Sequence, residues 1–139
     1  MKTALLDTNA YGRLVHGEEA IVKLIAMMDI TYLSVVVLGE LYAGFYGGTK
    51  SSENLKQLRY VLDRSFIKTL DVTPVTAQLF AEVKVELRKK GKMIPVNDIW
   101  IAAQSIETGS ELITYDTHFL TISKVRVWDE LLPGPLRSS

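Results

Sequence analysis

Thr3-Ala4-Leu5-Leu6 runs directly into Asp7-Thr8-Asn9. The first four residues read as a short, buried strand, and the acid marks the point where the chain leaves it. The same grammar returns at Leu112-Ile113-Thr114-Tyr115, which is followed at once by Asp116. Segments 31–34, 66–70 and 125–128 are also short, apolar and rich in β-branched or aromatic residues. Longer helical patterns lie between these segments. Strands that alternate with helices need crossover connections, which predicts an α/β fold with a central parallel sheet of four or five strands.

The helical patterns have recognisable ends. Thr73 can cap a helix over 74–89, Pro74 suits its first position, and Val75, Leu79, Val83 and Leu87 recur at helical spacing. Arg88, Lys89 and Lys90 fill its last turn and Gly91 stops it. Leu55, Leu58 and Leu62 mark a second amphipathic helix that starts at Ser51 or Ser52. Ile99, Ala103 and Ile106 mark a third, apolar nearly all round in its first turn and therefore central, with Gly109 at its end. Val35-Val36-Val37 has strand propensity, but Leu38, Leu41, Tyr42 and Phe45 have helical spacing. The segment is read as a helix that follows a short strand at 31–33, with Ser34 as its cap. Pro133-Gly134-Pro135 cannot continue a helix, so residues 129–139 are expected to form a tail after a domain spanning 1–128.

The 139 residues fit one domain with one core. No basic, apolar leader pattern and no apolar run near the length of a membrane span is visible, so a cytoplasmic protein without membrane contact is expected. Zero cysteines exclude disulfides, thiolate zinc sites and cysteine nucleophiles. Lys plus Arg and Asp plus Glu number 16 each. If a metal neutralises four of the acids, four excess positive charges remain to offer a basic rim to a polyanion. A mixed surface with no such partner is the alternative.

Four acids stand out because each sits at the edge of an apolar segment. Asp7 ends Ala4-Leu5-Leu6, and Glu40 is the only charge between Val35 and Phe45. Asp98 opens Ile99-Trp100-Ile101-Ala102-Ala103, and Asp116 closes the second strand-like run. In a parallel α/β sheet ligands bind outside the carboxyl ends of the strands. Asp7 and Asp116 fall there, Asp98 falls at a helix start that favours negative charge, and Glu40 lies on a helix leaving a strand end. All four can converge on one edge. Like charges at about 4–6 Å raise each other's pKa, whereas Mg²⁺ or Mn²⁺ takes such hard oxygen ligands readily. Two such ions about 3.5–4 Å apart can hold both the attacking and the leaving oxygens of an in-line phosphoryl displacement, with water as nucleophile. Each acid also has a purely structural reading. Asp7 or Asp98 can cap a helix, Glu40 can be a buried acid paired with Lys or Arg, and Asp116 can sit in a turn before a short helix.

The chain resembles the PIN domains, most of all the VapC-type toxin ribonucleases. The resemblance runs from Leu5 to about Phe119. It is carried by Leu5-Leu6-Asp7-Thr8-Asn9, Ser34 with Glu40, Pro95 to Ala103 with Asn97 and Asp98, and Thr114-Tyr115-Asp116-Thr117-His118-Phe119. It implies a three-layer α/β/α sandwich and a Mg²⁺- or Mn²⁺-dependent endoribonuclease site that leaves 5′-phosphate and 3′-hydroxyl ends. It implies a homodimer as well, for which Tyr42, Tyr46 and the helix at 51–64 are interface candidates. Asp7, Glu40, Asp98 and Asp116 take the catalytic, metal-binding positions. Asn9 and Thr114 match supporting polar residues, and Asn97 is a further one. The toxin role implies a VapB-like antitoxin that blocks the acidic site and binds operon DNA, so that DNA is met only indirectly. A PIN nuclease that processes RNA outside a toxin–antitoxin pair, and an inert PIN-fold binding module, are the alternatives.

Other features carry less. Arg88-Lys89-Lys90-Gly91-Lys92 is the densest charge run, and with Arg13 it offers candidate RNA-backbone contacts; a solvated helix end is the simpler reading. Gly44 to Ser51 misses the phosphate-binding loop G-x-x-x-x-G-K-[ST] at Thr49 and reads better as a helix–helix connection. Asp7-Thr8-Asn9 lacks the second acid of an aspartyl-phosphatase motif. His16 and His118 are too few and too separated for a histidine metal motif; His118, near Asp116, could approach substrate, but a surface or packing role is the simpler reading. The RNA target is not spelled out by the sequence.

Overall fold

A computed structural model describes residues 1–136. Four strands, β1 (Thr3–Leu6), β2 (Ile30–Ser34), β3 (Ile67–Leu70) and β4 (Glu111–Ile113), form one sheet in the order β3-β2-β1-β4. All three pairings are parallel, with Leu5 opposite both Tyr32 and Leu112. Between β1 and β2 lie α1 (Thr8–Val15) and α2 (Glu19–Ala26), and between β2 and β3 lie α3 (Val35–Tyr46) and α4 (Ser51–Leu62). Between β3 and β4 lie α5 (Pro74–Lys90) and α6 (Val96–Thr108). The result is the expected α/β/α sandwich.

The central strand shows why the apolar runs are unbroken. Ala4, Leu5 and Leu6 are fully buried, as are Leu33, Leu112 and Ile113 on the neighbouring strands, because helices cover a parallel sheet on both faces. β3, at the edge, exposes Lys68 and Thr69, which suits a strand with one open side.

Local signals set the helix ends. Ser34 caps α3, its Oγ accepting from the Val36 amide at 3.0 Å. Thr73 and Thr76 form a capping box on α5. Both hydroxyls also donate to Glu107, at 3.0 and 2.6 Å, and so tie the start of α5 to the end of α6. Gly91 (φ +66°) and Gly109 (φ +67°) end α5 and α6 in the left-handed conformation that only glycine adopts cheaply. The glycines at 47 and 48 lie in the connection between α3 and α4, as the sequence suggested.

The fifth expected strand, 125–128, is reduced to one parallel bridge between Leu112 and Val127. β4 is only three residues long, and the Ile113 carbonyl is committed inward, accepting from the Asp7 amide at 3.2 Å. Leu112 alone turns its peptide groups outward. Its N–H donates to Arg126 O at 2.7 Å and its carbonyl accepts from Trp128 N at 2.9 Å. Within the segment expected as a tail, Asp129–Leu131 and Gly134–Leu136 form short 3₁₀ turns and Leu132 is buried. The last three positions of that segment lie outside the described residues. Among the described residues no helix is long and apolar enough to cross a membrane.

Candidate active site

The sheet order places a ligand site before any side chain is considered. From β1 the chain moves to β2 and β3 on one side, then returns to add β4 on the other. The carboxyl ends of β1 and β4 therefore flank a topological switch point, where open α/β sheets bind ligands. Asp7 is the first residue past β1, and Thr114 to Asp116 follow β4.

A pocket of about 420 Å³ opens there. Asp7, Thr8 and Asn9 line it from the start of α1, Glu40 from α3, Pro95 to Asp98 from the start of α6, and Asp116 from the loop after β4. All four acids singled out in the sequence meet in this pocket, with Asn9 and Asn97 exposed beside them. No Lys or Arg is among the lining residues.

Asp7 is the most constrained of the four. It is 3% exposed. Its Oδ1 accepts from the Ala10 amide at 2.9 Å, capping α1. Its Oδ2 accepts a short hydrogen bond from the Thr114 hydroxyl. Thr114 Oγ1 in turn accepts from the Asp116 amide at 2.9 Å. One buried hydroxyl thus links the acids that leave β1 and β4. The capping reading of Asp7 is realised together with its place in the pocket, since a carboxylate has two oxygens to share.

Glu40 is half-buried, and its Oε1 accepts from the Thr8 hydroxyl at 2.7 Å. Among the described residues it has no Lys or Arg partner, so it is not one half of a buried ion pair. Asp98 is the third residue of α6, whose N-cap is Pro95, so it is not the cap either. It still sits in the first turn, where unpaired amides and the helix dipole favour its charge. Asp116 precedes the 3₁₀ turn Thr117–Thr121, as the turn reading allowed, without capping it through its side chain.

Two further residues belong to the site. The Thr8 hydroxyl had no role in the sequence reading, because its partner lies 32 positions away. His118, expected to pack or face solvent, brings Nε2 to 3.0 Å from Asp98 Oδ2. The 3₁₀ turn carries it back toward the pocket two residues after Asp116.

The electrostatics are those of an acid cluster with no Lys or Arg among its lining residues. Burial pushes the Asp7 carboxyl up from 3.8 to about 6. The hydrogen bonds from Thr114 and Ala10 oppose that rise, while the charges of Asp116 and Asp98 add to it. Asp98 is raised too, first by burial. His118 works against this, and Asp116 and Glu40 reinforce it. Ligand atoms of Asp98, Asp116 and His118 lie within 4.8 Å of one another. Convergent, mutually repelling hard-oxygen donors around an open pocket suit a divalent cation.

The basic candidates are placed less tightly. The Arg13 guanidinium stacks at 3.9 Å over the ring of Tyr115, the residue before Asp116, and lies 3.4 Å from Glu18. Lys90 is engaged structurally, its ammonium donating to Glu86 and to Thr121 O, each at 2.7 Å. Arg88, Lys89 and Lys92 are exposed around the end of α5. Tyr42 and Tyr46 stack with ring centroids 5.9 Å apart, and Tyr46 is 69% exposed.

The sequence pattern of the PIN domain matches residues 4–125, from β1 through the turn that follows β4. The chain belongs to the PIN domain family. Ribonuclease VapC5 of Mycobacterium tuberculosis is 26% identical over 118 residues, covering 85% of this chain and 86% of that protein. Ribonuclease VapC2 of Haemophilus influenzae is 36% identical over 83 residues, covering 59% of this chain and 61% of its own. Among solved structures, the crystal structure of VapBC2 from Rickettsia felis bound to a promoter DNA fragment superposes with a TM-score of 0.80 at 25% identity. That match covers 90% of this PIN-domain chain and 96% of the other.

Proposed function

We propose that this PIN-domain protein is a divalent-metal-dependent endoribonuclease that hydrolyses RNA phosphodiester bonds, and that it is the toxin of a VapBC toxin–antitoxin pair. The observation that carries the reading is the pocket at the β1/β4 switch point. Asp7, Glu40, Asp98 and Asp116 reach it from four different parts of the chain, with no Lys or Arg among its lining residues and only the His118 imidazole beside Asp98. The similarity to proteins called Ribonuclease VapC supplies the substrate class, and the VapBC2 structure supplies the partner class.

Asp7, Glu40, Asp98 and Asp116 hold one or two Mg²⁺ or Mn²⁺ ions in this reading. A bound divalent ion offsets the negative charge of a phosphodiester and lowers the pKa of water. The remaining work belongs to the chain. Thr114 fixes Asp7 and the Asp116 backbone, Thr8 fixes Glu40, and Asn9 and Asn97 offer amides to the substrate side of the pocket. Arg13 and the exposed Arg88, Lys89 and Lys92 supply a basic approach to the RNA backbone, to which Lys90 adds charge while keeping its structural bonds. Attack by water releases a 5′-phosphate and a 3′-hydroxyl.

The nuclease domain is taken as residues 1–128 with 129–139 as a tail, which the family match over 4–125 supports. A VapB-like antitoxin blocks the acidic pocket and brings the pair to operon DNA. The chain pairs as a homodimer through a surface that includes Tyr42, Tyr46 and α4, in the cytoplasm where its RNA substrates are. Sequencing RNA ends after controlled expression, with Asp98→Ala as control, tests the central claim. New 5′-phosphate ends that vanish in the variant are expected. Identical end profiles would sink it. Growth arrest relieved by the product of an adjacent short reading frame would mark a toxin, whereas cleavage without arrest would mark a processing enzyme.

A further inference from the structure

The metal reading uses four carboxylates, but the pocket's edge also carries a nitrogen. His118 Nε2 is buried at its tip and stands 3.0 Å from Asp98 Oδ2 without the alignment of a good hydrogen bond, while the side chain as a whole is 31% exposed. In the metal-free protein this contact sets the imidazole against the Asp98 carboxylate, and the same two atoms are close enough to share one ion. The ring packs against that of Phe119, at a centroid distance of 4.6 Å and a tilt of 53°. Phe119 is itself fully buried.

The spacing suggests what completes it. Two neighbouring ligands on an octahedral ion with bonds of about 2.0–2.1 Å stand about 3.0 Å apart. That is the separation of Nε2 from Asp98 Oδ2. An Asp116 carboxylate oxygen closes the set, with all three ligand atoms within 4.8 Å of one another.

We propose that His118 is a metal ligand through Nε2, so that Asp98, Asp116 and His118 form one mixed oxygen–nitrogen face of the metal site. This rests on the metal-dependent reading above. Its consequence is selectivity. Mg²⁺ seeks oxygen donors and gains little from imidazole, while first-row transition ions accept it well. The site therefore favours Mn²⁺ over Mg²⁺, and His118 is the residue responsible.

The test uses the full chain loaded with Mn²⁺ alone. Pulsed electron paramagnetic resonance should detect ¹⁴N coupling to the bound ion in the unaltered protein, and His118→Ala should abolish it. Calorimetry should show Mn²⁺ binding weakened at least about tenfold by that substitution, with Mg²⁺ binding changed by no more than about twofold. The coupling measurement needs no variant, so it stands even if His118→Ala folds poorly. Tight Mn²⁺ binding without ¹⁴N coupling would overturn the proposal and leave His118 as a counter-charge for Asp98. Equal losses for the two ions would overturn the selectivity. Failure of the unaltered protein to bind any divalent ion would instead refute the metal site itself.

Discussion

Replacing Asp7 by Asn should stabilise the metal-free protein while destroying its metal site. Burial lifts the Asp7 carboxyl from 3.8 to about 6, which makes the ionised native state about 3 kcal/mol costlier than it would be with an unshifted group. Because the folded-state pKa is the higher one, folding takes up a proton between these values. The contribution of Asp7 to stability in EDTA is therefore greatest below about pH 4, falls as pH rises toward 6, and is flat above. Asparagine does not titrate and is an equally good N-cap, so the Ala10 bond survives. Its amide meets the Thr114 hydroxyl less well than a carboxylate does, a loss of about 1 kcal/mol. The net gain at pH 7.5 is about 2 kcal/mol, or roughly 6 °C in Tm for a chain of this size. Mn²⁺ at a hundred times its Kd adds about 2.7 kcal/mol to the unaltered protein only, which should erase or invert the difference. Calorimetric melts of both proteins in EDTA from pH 4 to 8, then with Mn²⁺, decide the matter. A variant less stable than the parent in EDTA at pH 7.5, or a difference that ignores pH, would refute the claim that burial of charge dominates at Asp7.

Four further outcomes are expected. Thr114→Val removes the donor to Asp7 and the acceptor for the Asp116 amide, so melts should show a loss of about 1–3 kcal/mol. Its metal affinity, read by calorimetry, should fall about 10- to 100-fold. Thr8→Val frees Glu40 and should weaken metal binding within the same range, with little change in Tm because both groups are only half-buried. Arg13→Ala should weaken RNA binding without altering sequence preference and should lower the salt slope of binding by about 0.7; an unchanged slope would remove Arg13 from the RNA surface. Gly91→Ala places a side chain at φ +66° and should cost about 1–2 kcal/mol while metal affinity stays at the parent value.

The strands and the acids were legible for the same reason: both leave signals within a few neighbouring residues. A parallel strand covered on both faces needs an unbroken apolar run, and an acid that ends such a run is conspicuous. Ser34 resolved the Val35-Val36-Val37 ambiguity because a cap is a local event. The failures were non-local. The expected strand at 125–128 was lost because only Leu112 of β4 turns its peptide groups outward, a fact about register that the segment's own residues do not contain. The helical pattern before β2 did not reveal that Gly17, at φ +76°, would divide it into α1 and α2. The Thr8 hydroxyl had no expected role and His118 was expected to pack or lie on the surface, because their partners, Glu40 and Asp98, come from other elements.

Those partners also explain why the cluster is built as it is. A buried carboxylate can be stabilised by a cation or by neutral donors, and the choice decides what else it can bind. A lysine beside Asp7 or Glu40 would offset the charge and leave little attraction for an ion. Thr114 and Thr8 donate hydrogen bonds that hold each carboxylate in place without adding positive charge. The cost of that choice shows in the raised Asp7 and Asp98 carboxyls. An arrangement costly for the metal-free protein and geometrically fixed is what a divalent ion relieves most on binding. The hydroxyls are thus as informative as the acids: they separate a site kept charged for a ligand from an ion-pair network that is already complete.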